Sequence, residues 1–452
     1  MKSILFLLLC VPTITSAQFE GVWYSSFTVM GQPMEMKTVI SVSPTLSTTL
    51  YDSKAPERGL ECDSTSIEGS SIYFAWKQGG LSYRGKLNSE NVIEGTMRQS
   101  GLTWEANFHR TKPDPLVVTR TQEPKPPFNY STEEIKVQNG EITLAGTLTI
   151  PKDFNAETPI IILASGSGPQ NRDCEIVGHK PFWVIADHLS EHGIATLRFD
   201  DRGTGASSGS FYQTSLFEFG SDVETLARFI RKDKRFKKNP LGLAGHSEGG
   251  MHTLIAATDY SKIDFIIQLA AVGTSGREVL IEQQYLIPLA SGETEELARW
   301  NQNIFTGICD VLELDPSIFK DSLQKFLGKA YDEAPASFNK SQISRAQFIM
   351  SNAVMFGTEW GRQFVAFETS VHLKKLKIPL LAINGKADIQ VPAASNSAGF
   401  KSYEKGKVHL IEGLNHLFQN CNTCSVLEYS ELEETISTEV LQIMTDWILD
   451  QR

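Results

Sequence analysis

Cysteine is scarce in this 452-residue chain, which has six. Cys10 lies in an apolar N-terminal run, and the remaining five cannot all pair within one chain. Cross-links are therefore not what builds the fold. Cys421-Asn422-Thr423-Cys424 is a C-x-x-C without a second such pair, so a four-ligand zinc site is excluded. A thioredoxin-type redox site would want the motif after a strand and opening a helix, near the start of its fold. A local loop disulfide or two plain thiols remain open. Long basic runs are also missing, and the formal net charge is −11. That excludes nucleic acid and an anionic membrane surface as the main partner. Beyond the N-terminus nothing approaches the ~18 continuous apolar residues of a membrane span. Repeats and low-complexity tracts are absent, and no metal or cofactor is expected.

What is present is an ordinary globular composition, 41% hydrophobic and 21% charged, long enough for two or three domains. The chain opens MKSILFLLLCVPTITSAQ. Lys2, the apolar run from Ile4 to Val11 and the small residues Thr15-Ser16-Ala17 make a signal-peptide layout, with cleavage expected after Ala17. The expectation is export, to a periplasm or the exterior, as a soluble mature protein. A buried N-terminal helix is the plainer alternative. A lipoprotein anchor at Cys10 is opposed by bulky Leu8 and Leu9.

Residues 18–112 read as an all-β domain. GVWYSSF, EMKTVISV, LSTTLYD, SIYFAWK, LSYRGKL, VIEGTMR and LTWEANF recur at short intervals between turn residues, which suggests a small barrel or sandwich. Residues 113–130 are rich in proline and read as a linker. From 131 the rhythm changes. A hairpin is expected around Asn139-Gly140. Then short apolar strands at 159–165, 193–199, 241–245, 265–270, 379–384 and 408–411 alternate with helical segments. That pattern predicts a doubly wound, mostly parallel sheet. Ser437 is the expected N-cap of a last helix burying Val440, Leu441, Met444, Trp447 and Ile448. Residues 275–372 carry helical stripes, Ile304/Ile308/Val311 and Phe319/Leu323/Leu327. An insertion there lands above the C-terminal edge of the sheet, where it would act as a cap.

The strand LGLAG runs into Gly245-His246-Ser247-Glu248-Gly249 and then a helix, with Met251, Leu254 and Ile255 at helical spacing. A serine on a sharp strand-to-helix turn has a strained backbone and needs small residues two positions away on either side. Ser247 is therefore the candidate nucleophile. Gly205-Ala206-Ser207-Ser208-Gly209 has the same form, but it lies in a loop with no helix opening on it. A serine needs a base and an acid to orient that base, in the chain order serine, acid, histidine. Asp388 follows one late strand, and His416 follows the last one. The candidate oxyanion donors are the backbone N–H groups of Glu248 and of Ser167, with Gly168 as a near alternative. Gly166, Gly168 and Gln170, in the same turn as Ser167, are the candidate substrate-binding positions.

The segments SGSGPQNRD, GHKPFWVIADHLSEHGIATLRFDDRGTG, GHSEGG, INGKADIQVP and GLNHLFQ together resemble the α/β-hydrolase esterases of the EstD type. These are similar in turn to serine aminopeptidase-like hydrolases. The resemblance covers most of residues 131–450. It implies the α/β-hydrolase fold, a β-rich N-terminal domain, and Ser247, Asp388 and His416 as a triad. It departs at Glu368-Thr369, where the family carries Asp-Pro. The expected activity is hydrolysis of small carboxylic esters, with short acyl chains preferred. An aminopeptidase with the same triad is the alternative, and Glu293, Glu295 and Glu296 are its candidate amine-binding acids. A third reading makes the β-domain a binding module on a catalytically idle scaffold. A homodimer is left open.

Overall fold

The computed structural model describes residues 16–29, 32–52, 59–77, 79–99, 102–114, 120–315, 317–340 and 343–451. The expected signal peptide, apart from Ser16 and Ala17, lies outside the described residues, as do 115–119 of the expected linker. The chain divides between 118 and 119 into two compact units, and the short stretch Asn339–Ser344 is grouped with the first.

The first unit is all-β. Strands β1 (Gly21–Val29), β2 (Gln32–Ser41), β3 (Ser47–Asp52) and β4 (Gly59–Glu61) form one antiparallel sheet in that order. Strands β5 (Ser64–Glu68), β6 (Ser71–Trp76), β7 (Leu81–Leu87), β8 (Ile93–Gln99) and β9 (Leu102–Glu105) form a second. Period-2 alternation drives this. In β7, Leu81, Tyr83, Gly85 and Leu87 face inward and the residues between them outward. The inward faces meet in a core around Trp23, Phe74, Tyr83, Met97 and Phe108. Tyr83 stacks on Phe74, and its hydroxyl donates to the Ile93 carbonyl at 3.1 Å, so the buried polar atom is satisfied. The sequence reading missed β4 and β5, which are three and five residues long and carry one large apolar side chain each, Leu60 and Ile67.

The expected linker is not a free tether along its second half. Arg120, 8% exposed, donates to the carbonyls of Val177 and Ser430. The Gln122 amide donates to the Ile436 carbonyl and accepts from the N–H groups of Thr435 and Ile436. Proline keeps the segment extended, and these two side chains supply the hydrogen bonds that dock it on the second unit.

The second unit is built on an eight-stranded sheet. In chain order its strands are β10 (Tyr130–Asn139), β11 (Ile142–Pro151), β12 (Ile160–Ala164), β13 (Ala195–Phe199), β14 (Leu241–His246), β15 (Phe265–Leu269), β16 (Leu380–Gly385) and β17 (Gly406–Ile411). The spatial order is β10-β11-β13-β12-β14-β15-β16-β17. The first three are joined antiparallel and the rest are parallel. Every residue of β12, β13, β15 and β16 is buried, which explains why these strands are mostly apolar. Helices α1 (Pro181–Glu191), α2 (Leu216–Lys232) and α3 (Gly249–Asp259) connect strands up to β15. A capping box between Ser215 and Glu218 starts α2.

Between β15 and β16 lie α4 (Gly276–Ala290), α5 (Glu295–Leu312), α6 (Phe319–Asp332), α7 (Arg345–Phe356), α8 (Glu359–Ala366) and α9 (Thr369–Lys375). The stripe on α5 is Ile304, Phe305, Ile308, Cys309 and Leu312, so Leu312 rather than Val311 completes the buried face. Phe319, Leu323 and Leu327 are buried on α6. Then α10 (Ala393–Lys401) and α11 (Thr438–Leu449) complete the unit. Ser437 Oγ caps α11, which buries Val440, Leu441, Met444, Trp447 and Ile448.

The decisive feature is β12. Its neighbours are β13, the next strand in the chain, and β14, the one after that. Strand order therefore reverses at β12, and the loops after β12 and β14 flank the crevice that such a switch point opens.

Candidate active site

β14 ends in His246, and α3 begins at Gly249. Ser247 sits between them with φ of +57°, a left-handed conformation that costs a non-glycine residue energy. Its N–H is held by the Leu269 carbonyl at 2.9 Å, and its carbonyl accepts from Gly250. The flanking glycines are steric necessities. A Cβ on Gly245 would lie 2.1 Å from the Gly249 oxygen. One on Gly249 would lie 2.3 Å from the Ala164 oxygen and 2.5 Å from that of Ser165. The turn is thus wedged against the end of β12, where Ala164 pairs with Gly245.

Asp388 and His416 come from the loops after β16 and β17, on the same edge of the sheet. His416 Nδ1 lies 2.8 Å from Asp388 Oδ2. The other Asp388 oxygen accepts from the N–H groups of Gln390 and Val391 at 2.8 and 2.9 Å. Both residues are buried. A carboxylate oxygen accepts from Nδ1–H, which leaves Nε2 as the nitrogen able to take a proton. The loop carrying His416 is ordered by Asn415, whose side-chain oxygen accepts from the N–H groups of Leu417 and Gln419. At the base of that loop the Cys421 N–H donates to the Gly413 carbonyl, and Cys421 is bonded to Cys424. Of the two readings open for this pair, the structure has the disulfide. The Glu428 carboxylate accepts the N–H groups of Asn422, Thr423 and Cys424. Burial opposes its charge, but these donors hold its pKa down at about 2.

His246, beside Ser247, joins the two halves of the site. Its Nε2 is 3.0 Å from the His416 carbonyl, and its ring packs on the His416 ring at 4.8 Å. A carbonyl only accepts, so Nε2 of His246 carries a proton. Burial, then the neighbouring His416, keep His246 neutral by pushing its pKa to about 3.

The loop after β12 carries Ser165 to Gln170. A Cβ on Gly166 would lie 3.0 Å from the Ser247 Cβ, so this loop runs directly past the serine. Gly168 has φ of +88°. Among the described residues, the N–H groups of Glu248, Ser167 and Gly168 make no hydrogen bond to a protein acceptor. Backbone donors left free in a cleft are what an oxyanion requires. The Gln170 N–H is different. It donates to Asp201 at 2.9 Å, so its backbone serves the loop.

Two polar side chains at the site escaped the sequence reading. Asp201 accepts from Ser165 Oγ and from the Gln170 N–H, bracing the loop from behind. Burial, the largest influence on it, raises its pKa to about 7. Glu248, read from sequence only as a backbone donor, also accepts side-chain bonds from Ser167, His252 and Trp360. Burial raises its pKa, yet the donors, His252 first, bring the net shift below the usual carboxylate value. Asp201 stands in the quoted DDRGTG stretch but has no local signature of this role. The loop serine of the second G-x-S-x-G, Ser207, is buried. It donates to the Asp200 carbonyl and accepts from the Ala145 N–H, pinning its loop to β11.

The parallel sheet, the strained serine at its switch point and the helices over its C-terminal edge define an α/β hydrolase. The family model for serine aminopeptidases of the S33 group matches residues 182–420, just over half of the chain. The chain belongs to that family. It is also similar to Esterase EstD of Thermotoga maritima, 26% identical over 297 residues; the match takes in 64% of this chain and 61% of that protein. Among solved structures it is similar to Est1E from Butyrivibrio proteoclasticus with ferulic acid bound (19% identity, 70% of this chain and 98% of that one, TM-score 0.41). It is also similar to proline iminopeptidase from Mycobacterium smegmatis (13%, 71% and 98%, TM-score 0.42). Among the described residues no three or more His, Cys, Asp or Glu are grouped to hold a metal, and no helix is long and apolar enough to cross a membrane.

Proposed function

We propose that this protein is a serine carboxylesterase acting on small esters. His416 Nε2 takes the Ser247 proton as Ser247 Oγ attacks the carbonyl carbon. The oxyanion is held by the N–H groups of Glu248 and Ser167. Collapse expels the alcohol, which takes its proton from His416, and leaves an acyl-Ser247. Water, deprotonated by His416, attacks the acyl carbon and returns the carboxylic acid and free Ser247. Asp388 keeps the imidazole in the right tautomer throughout. The single observation carrying this reading is the 2.8 Å His416–Asp388 bond, on the strand edge where the strained Ser247 sits.

Ester rather than aminoacyl-amide cleavage is favoured by the acids. Glu293, Glu295 and Glu296 are exposed. Glu295 pairs with Arg299, and Glu296 accepts from Ser337. Short acyl chains, and export guided by the N-terminal segment, belong to the same proposal. The test is hydrolysis of p-nitrophenyl esters from acetyl to dodecanoyl, beside aminoacyl p-nitroanilides, by wild type and Ser247→Ala. Ser247-dependent turnover strongest on short esters is expected. Amide turnover exceeding ester turnover would refute the esterase reading. Export is checked by the N-terminal sequence of the protein recovered from outside the cytoplasm, with Gln18 expected first.

A further inference from the structure

We propose that the Glu248 carboxylate is a latch that couples the seating of the cap to the geometry of the oxyanion hole. This rests on the reading of Ser247 as nucleophile and the Ser167 N–H as an oxyanion donor. Glu248 would be a positioning residue through its side chain, in addition to the role of its amide.

The carboxylate is 2% exposed and is reached from three separate parts of the chain. Ser167 Oγ, on the loop after β12, donates to Oε2 at 2.5 Å. Trp360 Nε1, on α8 between β15 and β16, donates to Oε1 at 2.6 Å. His252 Nε2, one turn into α3, lies 3.2 Å from Oε1. A charged acceptor makes each of these bonds stronger than a neutral one. With three of its roughly four acceptor positions used, the group has little capacity left for a substrate amine. Its geometry is that of a joint.

The loop holding Ser167 needs such a joint. It has no ladder of its own, and Gly168 is left-handed. Behind it, Asp201 ties down Ser165 and Gln170. On the face toward the cleft, the Ser167–Glu248 bond is the counterpart, and it sets the rotamer of the residue whose N–H must meet the oxyanion. Trp360 is bound to the same carboxylate and packs against Phe364 of its own helix, ring centroids 5.3 Å apart and tilted by 38°. The start of α8 is fixed by Thr358 Oγ1, which accepts from the Gly361 N–H at 3.1 Å. When α8 is seated, the indole N–H holds the carboxylate in the rotamer that receives Ser167. When α8 lifts, Oε1 keeps only the longer bond to His252, and the rotamer that receives Ser167 is held less firmly. The oxyanion hole is thereby best ordered under a closed cap.

Ser167→Ala removes the hydroxyl but keeps the backbone N–H, and Trp360→Phe removes only the indole donor from an aromatic of similar shape. Both variants and their double are compared with wild type in kcat and KM on p-nitrophenyl butyrate. The rate of covalent labelling of Ser247 by a fluorophosphonate is measured alongside. Each single variant should lose about 10-fold in kcat and in labelling rate, the size of one charge-assisted bond, with KM within about 2-fold. Because both bonds act through one carboxylate, the double should also lose about 10-fold, not the ~100-fold of independent effects. Additive losses, or an unchanged kcat in either single variant, would overturn the latch. If wild type is labelled at Ser247 but turns over no ester, the esterase reading fails while the labelling rates still decide the latch. If wild type is not labelled at Ser247, both fall.

Discussion

Gly249→Ala isolates what the turn does. The added Cβ would meet the carbonyl oxygens of Ala164 and Ser165 at 2.3 and 2.5 Å, where ordinary contact is above 3.4 Å. Neither obstacle is a flexible side chain. Both are main-chain oxygens, at the end of β12 and the start of the loop that bears Ser167. Relief requires about 1 Å of separation between the elbow and that loop, given that dense interiors do not absorb such overlaps locally. Overpacking of this kind costs about 1–3 kcal/mol. That is a fall of several degrees in the unfolding midpoint of the catalytic unit, at ~2 °C per kcal/mol for a unit this large. The catalytic loss should be larger in proportion. A displacement near 1 Å between nucleophile and oxyanion donor is worth about 100-fold in rate. The assay is kcat on p-nitrophenyl butyrate, measured well below the unfolding midpoint, with thermal unfolding followed by circular dichroism. A folded variant whose kcat stays within 3-fold of wild type would refute the reasoning. The close approach at Gly249 would then not set the oxyanion geometry.

Three further outcomes follow from the same contacts. Asp388→Asn should place an amide N–H₂ or a neutral oxygen against His416 Nδ1, disturb the tautomer, and lower kcat by about 10⁴-fold with KM little changed; steady-state kinetics decide it. Asp201 has its pKa raised from 3.8 to about 7 in the folded chain, so the folded state binds the extra proton. The stability it lends relative to Asp201→Asn should be fully present below pH 3.8 and lost as pH rises through 7. The difference in unfolding midpoint between the two proteins across pH 4–8 should shrink monotonically, and a constant difference would contradict the assignment. Reducing the Cys421–Cys424 bond opens a four-residue ring at the base of the His416 loop. It should cost at most about 2 kcal/mol and lower kcat severalfold, whereas the Cys421→Ser/Cys424→Ser variant should be indifferent to dithiothreitol.

How far a sequence reveals such a molecule depends on the range over which each feature is determined. The parallel strands were legible because burial on both faces forces short unbroken apolar runs, as in the five residues of β12, all buried. The turn at Ser247 was legible because its sterics involve residues two positions away, so the constraint is written within one pentapeptide. β4 and β5 were not, since strands of three and five residues with a single large apolar side chain borrow their pairing from neighbours. The docking of residues 120–130 was hidden for a related reason. Proline content describes the backbone's stiffness, but Arg120 and Gln122 find their partners some 57 to 314 residues away. The Glu248 cluster is the clearest case. Its donors Ser167 and Trp360 lie 81 and 112 residues from it, on opposite sides in the chain. Nothing local distinguishes Glu248 from a glutamate at the solvated start of a helix, and nothing local distinguishes Trp360 from a core aromatic of the cap. Only the parallel pairing of β12 with β14 at the switch point, with Trp360 of α8 bonded to Glu248, makes them neighbours. Groups that perform the bond-breaking step must meet strict local geometry and so leave local marks. A group that coordinates loop, elbow and cap is defined by the packing of all three, and its role becomes visible only when those elements are assembled.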